Sequence, residues 1–320
     1  MPAETWARLQ QIIDGCEECR RLGGSLIVRP SSRPARPPEP AGGELVFVSE
    51  APSATGGFWI PPPEEDDLRE HLFVMMRAAG VLLPGHQNPG CLDDFLGRGF
   101  FLVQAVKWPL CESARTLSSA ERSLIQHSAE SHLRSELRAI HPAAIVAMGK
   151  VALYACARIL ESDDFIFDHR TQLGAVQGRR FEVRLAGEQI TLYATGLPVK
   201  RQRQHFPRIA KDIRGAVSEQ QLAEAVRRLA AAYRPERIYL FGSHARGDAG
   251  PDSDYDLLVV VPDSAPLERR RGRLAYVTLR GTGTAADVLV QSRSYFESRL
   301  HLPASLPATV LREGRLLYAS

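Results

Sequence analysis

Two carboxylates set two residues apart, Asp254 and Asp256, constrain this 320-residue chain more than any other feature. They head an apolar run, Tyr255–Val261, that reads as a strand, where residues two apart project to the same face. Holding two like charges together is costly unless cations bind between them. Magnesium, a hard ion that prefers oxygen ligands and substrate phosphates, meets that demand. Eleven positions before Asp254, Gly242-Ser243 follows another strand, Arg237–Phe241, and opens a helical turn. Glycine lets a backbone approach a phosphate closely, and amides at a helix start donate to it. A third apolar strand, Thr284–Gln291, carries a lone carboxylate, Asp287. Arg246 either contacts a phosphate or caps the loop, and His244 reads as an exposed turn residue. Around these strands the periodicity predicts a helix over Ser218–Tyr233, with Leu222, Ala225, Val226 and Leu229 on one face, and a closing strand over Leu311–Tyr318.

The segment GSHARGDAGPDSDYDLLVV is similar to the signature of the DNA polymerase β nucleotidyltransferase superfamily, in its small, minimal branch. The ending LREGRLLYA also resembles the close of that branch. The resemblance implies that Gly242 and Ser243 grip a nucleoside triphosphate, that Asp254 and Asp256 hold two magnesium ions, and that Asp287 completes the metal site activating the attacking hydroxyl. Two metals about 3.5–4 Å apart clamp the attacking and leaving oxygens of an in-line displacement. The implied reaction moves a nucleoside monophosphate from a triphosphate to an acceptor hydroxyl and releases pyrophosphate. A partner protein, as in toxin–antitoxin systems, or a nucleic-acid end is the implied acceptor.

Upstream of Asp212 the pattern differs. Short apolar strands (Glu44–Ser49, Phe100–Val106, Ala143–Met148, Arg180–Leu185, Gln189–Thr195) are separated by helical stretches (Glu4–Leu22, Leu68–Gly80, Ser118–Ile140, and Gly149 onward to Leu160). Such alternation predicts an α/β, three-layer αβα domain with a mainly parallel sheet over residues 1–213. A small α+β domain with a mixed sheet is expected over 214–320, the pattern changing near 212–217. Ligands of parallel sheets sit at the carboxyl ends of the strands. Here those ends are Ser49-Glu50-Ala51-Pro52, Lys107-Trp108-Pro109, Gly149-Lys150 and Thr195-Gly196-Leu197-Pro198.

By the order of these parts, residues 1–213 resemble the uracil-DNA glycosylase superfamily, closest to its family 4 branch. The likeness runs through Cys16-x-x-Cys19, Val48-Ser49-Glu50-Ala51-Pro52, Val103-Gln104-Ala105-Val106-Lys107, His141-Pro142 and Ile145–Lys150. It implies a base pocket of Glu50, Ala51, Pro52, Phe58, Gln104 and Leu197, and a module that binds nucleic acid or nucleotide. Phe58 or Trp59 would stack on a base or pack in the core. Two departures argue against uracil excision: Gln104 stands where the family has an asparagine that reads the base, and Leu197 where it has a histidine. A DNA-repair glycosylase with an accessory nucleotidyltransferase domain is the alternative. The resemblance also brings a four-cysteine iron–sulfur cluster, of which Cys16 and Cys19 match the first pair while Trp108 and Ala129 align with the other two. Cys91 and Cys111 are the substitutes that would restore a [4Fe–4S] cluster; loss of the cluster is the preferred reading. The basic run Lys200-Arg201-Gln202-Arg203-Gln204-His205 reads as a phosphate-attracting loop or a solvated linker.

Length points to two domains, and 44% hydrophobic with 24% charged residues to ordinary globular protein. No apolar run reaches the roughly 18 residues of a membrane span, and no secretory signal is visible, so the expected setting is cytoplasmic without a membrane partner. A net charge of +3 does not by itself demand a nucleic-acid partner, and five cysteines in such a chain argue against a disulfide framework.

Overall fold

The structure, a computed structural model, describes residues 5–28, 36–40, 45–53, 57–59, 67–82, 88–111, 117–250, 253–280 and 282–320. It divides into two units, Met1–Val217 and Ser218–Ser320. Among the described residues no helix is long and apolar enough to cross a membrane.

The first unit is built on five strands: β1 (Leu45–Ser49), β2 (Phe100–Gln104), β3 (Ala144–Met148), β4 (Arg180–Leu185) and β5 (Glu188–Thr195), in the order β2-β1-β3-β5-β4. Every neighbouring pair is parallel except β4 with β5. All residues of β1 and β3 are buried, as the unbroken apolar runs LVFVS and AIVAM require of strands covered on both faces. At the edge, β4 alternates exposed and buried residues, and so has one wet face. Ala186 and Gly187 join β4 to β5 with φ of 54° and 90°, the left-handed pair that a two-residue hairpin demands. Ser49 pairs with Gln104 and Met148 with Thr195, so four carboxyl ends are level along one edge of the sheet.

The second unit is a mixed sheet, β8-β7-β6-β9, from β6 (Arg237–Phe241), β7 (Tyr255–Val261), β8 (Ala286–Ser292) and β9 (Arg315–Ala319). β7 runs parallel to β8 and antiparallel to β6, which is antiparallel to β9. Alternation along the strands separates two cores. Ile238, Leu240, Leu257, Val259 and Val261 pack with Leu222, Ala225, Leu229 and Tyr233 of a helix; Tyr239, Leu258 and Val260 pack with Phe296 and Val310.

Several elements depart from the sequence expectation. The helix expected over Glu4–Leu22 is two, Trp6–Asp14 and Glu17–Gly23, because the chain turns at Gly15-Cys16. Within the long helix expected over Ser118–Ile140, Ala129–Leu133 forms a π-turn between the α-helical stretches Ser119–Ser128 and Arg134–Ile140. The boundary between the units, expected near 212–217 and placed at Val217/Ser218, falls inside one helix, Phe206–Tyr233. Its only interior breaker is Gly215, whose cost of about 1 kcal/mol against alanine is too small to end a long helix. Leu311 belongs to a helix, Leu306–Glu313, started by the Ser305 cap and Pro307, and the closing strand begins only at Arg315.

Candidate functional site

Three acidic residues of the second unit, Asp254, Asp256 and Asp287, stand at the starts of β7 and β8. Asp256 is paired in register with Asp287 across the parallel ladder, so both carboxylates leave the sheet at one level and on one side. On its other flank Asp256 faces Phe241, the last residue before the turn Gly242–Arg246. Gly242 has φ of 69°, and a methyl group there would overlap Asp256 Oδ2 and come within 2.9 Å of its Cγ. Glycine is therefore required twice, for the backbone angle and for the approach of the carboxylate. Asp254 lies one residue ahead of β7 and is exposed, as is Asp287.

Ser243 anchors the turn through its carbonyl, which accepts from the amides of Gly247 and Asp248 at 2.9 and 3.1 Å. Arg246 makes an exposed ion pair with Asp248 at 3.3 Å. His244 is not the exposed turn residue expected from sequence. It is half-buried, stacked on the Tyr255 ring with centroids 4.1 Å apart, and its Nε2 meets the Ser253 carbonyl at 2.9 Å. Tyr255 in turn donates to the Ser218 carbonyl at 3.1 Å. The stack ties the turn to the strand that carries the acids, which a lone histidine in a polar segment gave no signal of.

Burial raises the Asp256 carboxyl above its ordinary range. The charges of Asp287 and, less strongly, Asp254 add to this, while His244 and Arg246 oppose it. The ionised site is thus short of positive charge. Carboxylate oxygens are the ligands that a hard cation takes.

In the first unit the expected pocket residues do not all meet. Gly149, with φ of 87°, brings Glu50 and Leu197 together: a methyl group on it would lie 2.7 Å from Glu50 Oε1 and 3.1 Å from Leu197 Cβ. Glu50 and Leu197 are buried; Ala51 and Pro52 are half-buried beside them in the chain. Gln104, half-buried, closes β2 and receives Lys107 on its carbonyl, and Lys107 also forms a buried ion pair with Glu136. Phe58 is the correction. It is 1% exposed, with rings of Trp59, Phe73 and Phe95 at 4.9, 5.5 and 5.5 Å, so it fills the core rather than a pocket. The basic run Lys200–His205 is a short 3-10 turn.

Of the expected cluster ligands, Cys16 and Cys19 do come together, joined not by another cysteine but by His127 and His132. Cys111 is outside that group, and the Cys91 side chain falls outside the described residues. Cys156 is fully buried, its thiol pushed up to about 12 by burial, as a small core residue.

Residues 219–317 match the profile of the nucleotidyltransferase domain family. Over 104 residues the chain is 34% identical to a protein of Methanocaldococcus jannaschii provisionally named a protein adenylyltransferase, covering 31% of this chain and 97% of that one. A crystal structure of a protein from Sulfolobus solfataricus, provisionally named a nucleotidyltransferase, is 22% identical, covering 31% of this chain and 78% of that one with a TM-score of 0.23.

Proposed function

The chain belongs, through residues 219–317, to the nucleotidyltransferase domain family, and from that membership we propose that it transfers the adenylyl group of ATP to a hydroxyl on a protein. The nucleotide and the acceptor class rest on the name of its archaeal relative. The observation that carries the reading is the in-register pair Asp256 and Asp287, with Gly242 closed against the first of them. Gly242 and Ser243 bind the triphosphate by bringing main-chain amides to it. Asp254, Asp256 and Asp287 would hold two magnesium ions, which would offset the charge on the phosphates and favour in-line displacement. The acceptor oxygen bonds to the α-phosphorus while the bond from that phosphorus to the bridging oxygen breaks, and pyrophosphate leaves with the electron pair. The hydroxyl proton departs through Asp287, whose exposure gives it a path to water. Arg246, exposed at the end of the turn, exchanges Asp248 for a phosphate oxygen.

The test is incubation of the full chain with labelled ATP, magnesium and candidate acceptor proteins, scored for covalent label. Label on a protein hydroxyl is expected. Label from another nucleoside triphosphate, or on a nucleic-acid end, would replace the donor or the acceptor; no transfer to any acceptor would overturn the reading.

For residues 1–213 we propose a module that holds nucleic acid or nucleotide at the sheet edge where Glu50, Gly149 and Leu197 converge, without base excision. Leu197 offers no imidazole there, and Phe58 is spent on the core. Negligible abasic-site formation is expected when the full chain meets uracil-containing DNA, single- or double-stranded. Excision approaching the rate of an authentic glycosylase would restore the repair reading.

A further inference from the structure

Cys16, Cys19, His127 and His132 each offer one ligand atom, and these four atoms lie within 4.8 Å of one another. Three local devices bring them there. The turn at Gly15-Cys16 makes Cys16 the cap of the helix Glu17–Gly23, and its sulfur accepts from the Cys19 amide at 3.4 Å. That fixes both sulfurs of the C-x-x-C pair at one helix start. His127 and His132 are five residues apart, and five residues of α-helix turn about 500°, leaving two side chains roughly 140° apart. The π-turn Ala129–Leu133 between them removes this divergence: the Arg134 amide reaches back to the Ala129 carbonyl, a five-residue step, and residues five apart become neighbours. Finally, the helix carrying Cys19 and the helix carrying His127 bring Cys16 Sγ and His127 Nε2 to 3.3 Å.

We propose that this corner is a structural zinc site with a Cys2His2 ligand set. Two thiolates and two neutral imidazoles neutralise one divalent ion and fill a tetrahedron, the closed arrangement of structural zinc. Bonds of about 2.3 Å to sulfur and about 2.0–2.1 Å to nitrogen put adjacent ligand atoms about 3.5 Å apart, close to the 3.3 Å between Cys16 Sγ and His127 Nε2. The Ser131 hydroxyl sits 3.5 Å from Nδ1 of His127, the ring nitrogen turned away from the cysteines, as an outer partner that orients a ligating imidazole does. An iron–sulfur cluster does not fit. A [4Fe–4S] cluster takes four thiolates, and among the described residues this group has two thiols and two imidazoles. A [2Fe–2S] cluster with mixed ligands puts both histidines on one iron and both cysteines on the other. The short contact between Cys16 and His127 is incompatible with that separation. The metal would pin the amino-terminal helices to the helix 119–140, a staple made by the π-turn.

The experiment is metal analysis of the full chain purified without chelator, with cobalt(II) reconstitution after metal removal. About one zinc per chain is expected, with thiolate-to-cobalt charge transfer and tetrahedral d–d bands on reconstitution. Cys16→Ser and His132→Ala should each lose the metal, whereas His127→Cys, which preserves four ligands, should keep zinc and intensify the charge-transfer band. Should the first two variants fail to fold, zinc protection of Cys16 and Cys19 from alkylation in the unaltered chain reads the same site. Iron with acid-labile sulfide would overturn the proposal. So would a chain that takes up no zinc, zinc content unchanged in folded Cys16→Ser, or alkylation of the two thiols at the same rate with and without zinc.

Discussion

Asp256→Asn is expected to reduce nucleotide transfer at least about a thousand-fold, about 4 kcal/mol of transition-state stabilisation, while making the metal-free chain more resistant to heat. The two effects share one cause. Asp256 is half-buried beside Asp287 and near Asp254, and its carboxyl is raised by burial first and by those charges second. A carboxyl raised by folding holds its proton more tightly in the folded chain than in the unfolded one. The stability this lends is fully present below the unfolded value and is lost as pH rises through the folded one. At neutral pH the ionised form is therefore a net cost, which asparagine removes. Magnesium inverts the ranking, because an ion bound only by the folded chain stabilises it in proportion to occupancy. Thermal melts of both proteins at pH 7, with and without magnesium, should show the variant ahead without the ion and the unaltered chain gaining far more from it. Transfer by the variant within tenfold of the original would remove Asp256 from the mechanism. A lower melting temperature for the metal-free variant would contradict the electrostatic account.

Gly242→Ala should be nearly as damaging, through geometry alone. Its φ of 69° costs a residue with a Cβ roughly 1–2 kcal/mol. The methyl group cannot be accommodated by a flexible neighbour either, since it meets the Asp256 carboxylate down to its Cγ. The turn must move away from the strand or the carboxylate must rotate out of its place beside Asp287. Either movement separates triphosphate amides from metal ligands, and a loss of about a hundred-fold in kcat/KM, about 2.7 kcal/mol, is expected. Ser243→Ala, whose structural contacts are made by its backbone carbonyl, leaves the turn in place and serves as the control for folding. Full activity in folded Gly242→Ala would show that the turn and the carboxylate need not touch during turnover.

What the sequence conveyed followed from periodicity. Arg180–Leu185, Arg237–Phe241 and Tyr255–Val261 are strands at the residues expected from their apolar runs, because period-two alternation or continuous burial is written in the side chains themselves. The mainly parallel first sheet was legible for the same reason, through helices interposed between strands. The pairing of Asp256 with Asp287 was not. Register between strands about thirty residues apart depends on the intervening helix and turn, not on either strand's pattern. The π-turn was hidden for a related reason: Ala129–Leu133 has the composition of ordinary helix, and the two histidines that it aligns meet the C-x-x-C pair only in the fold, since Cys19 and His127 are far apart in sequence. The resemblance put Phe58 in a base pocket although core packing is the commoner fate of such a ring; what decides it are Phe73 and Phe95, neighbours distant in sequence.

The helix Phe206–Tyr233 has a consequence for handling the protein in pieces. It supplies Ile209, Ile213, Ala216 and Val217 to one core and Leu222, Ala225, Leu229 and Tyr233 to the other. A protease needs several residues of extended chain in its cleft, and a helix must open locally before it yields them. Opening a turn here also pulls a buried side chain from one core or the other. Limited digestion should therefore spare residues 209–229 and nick exposed loops elsewhere first. A fragment ending at residue 213 would lack Ala216 and Val217 and leave a hydrophobic scar where they pack, so a soluble first half must extend at least to Val217.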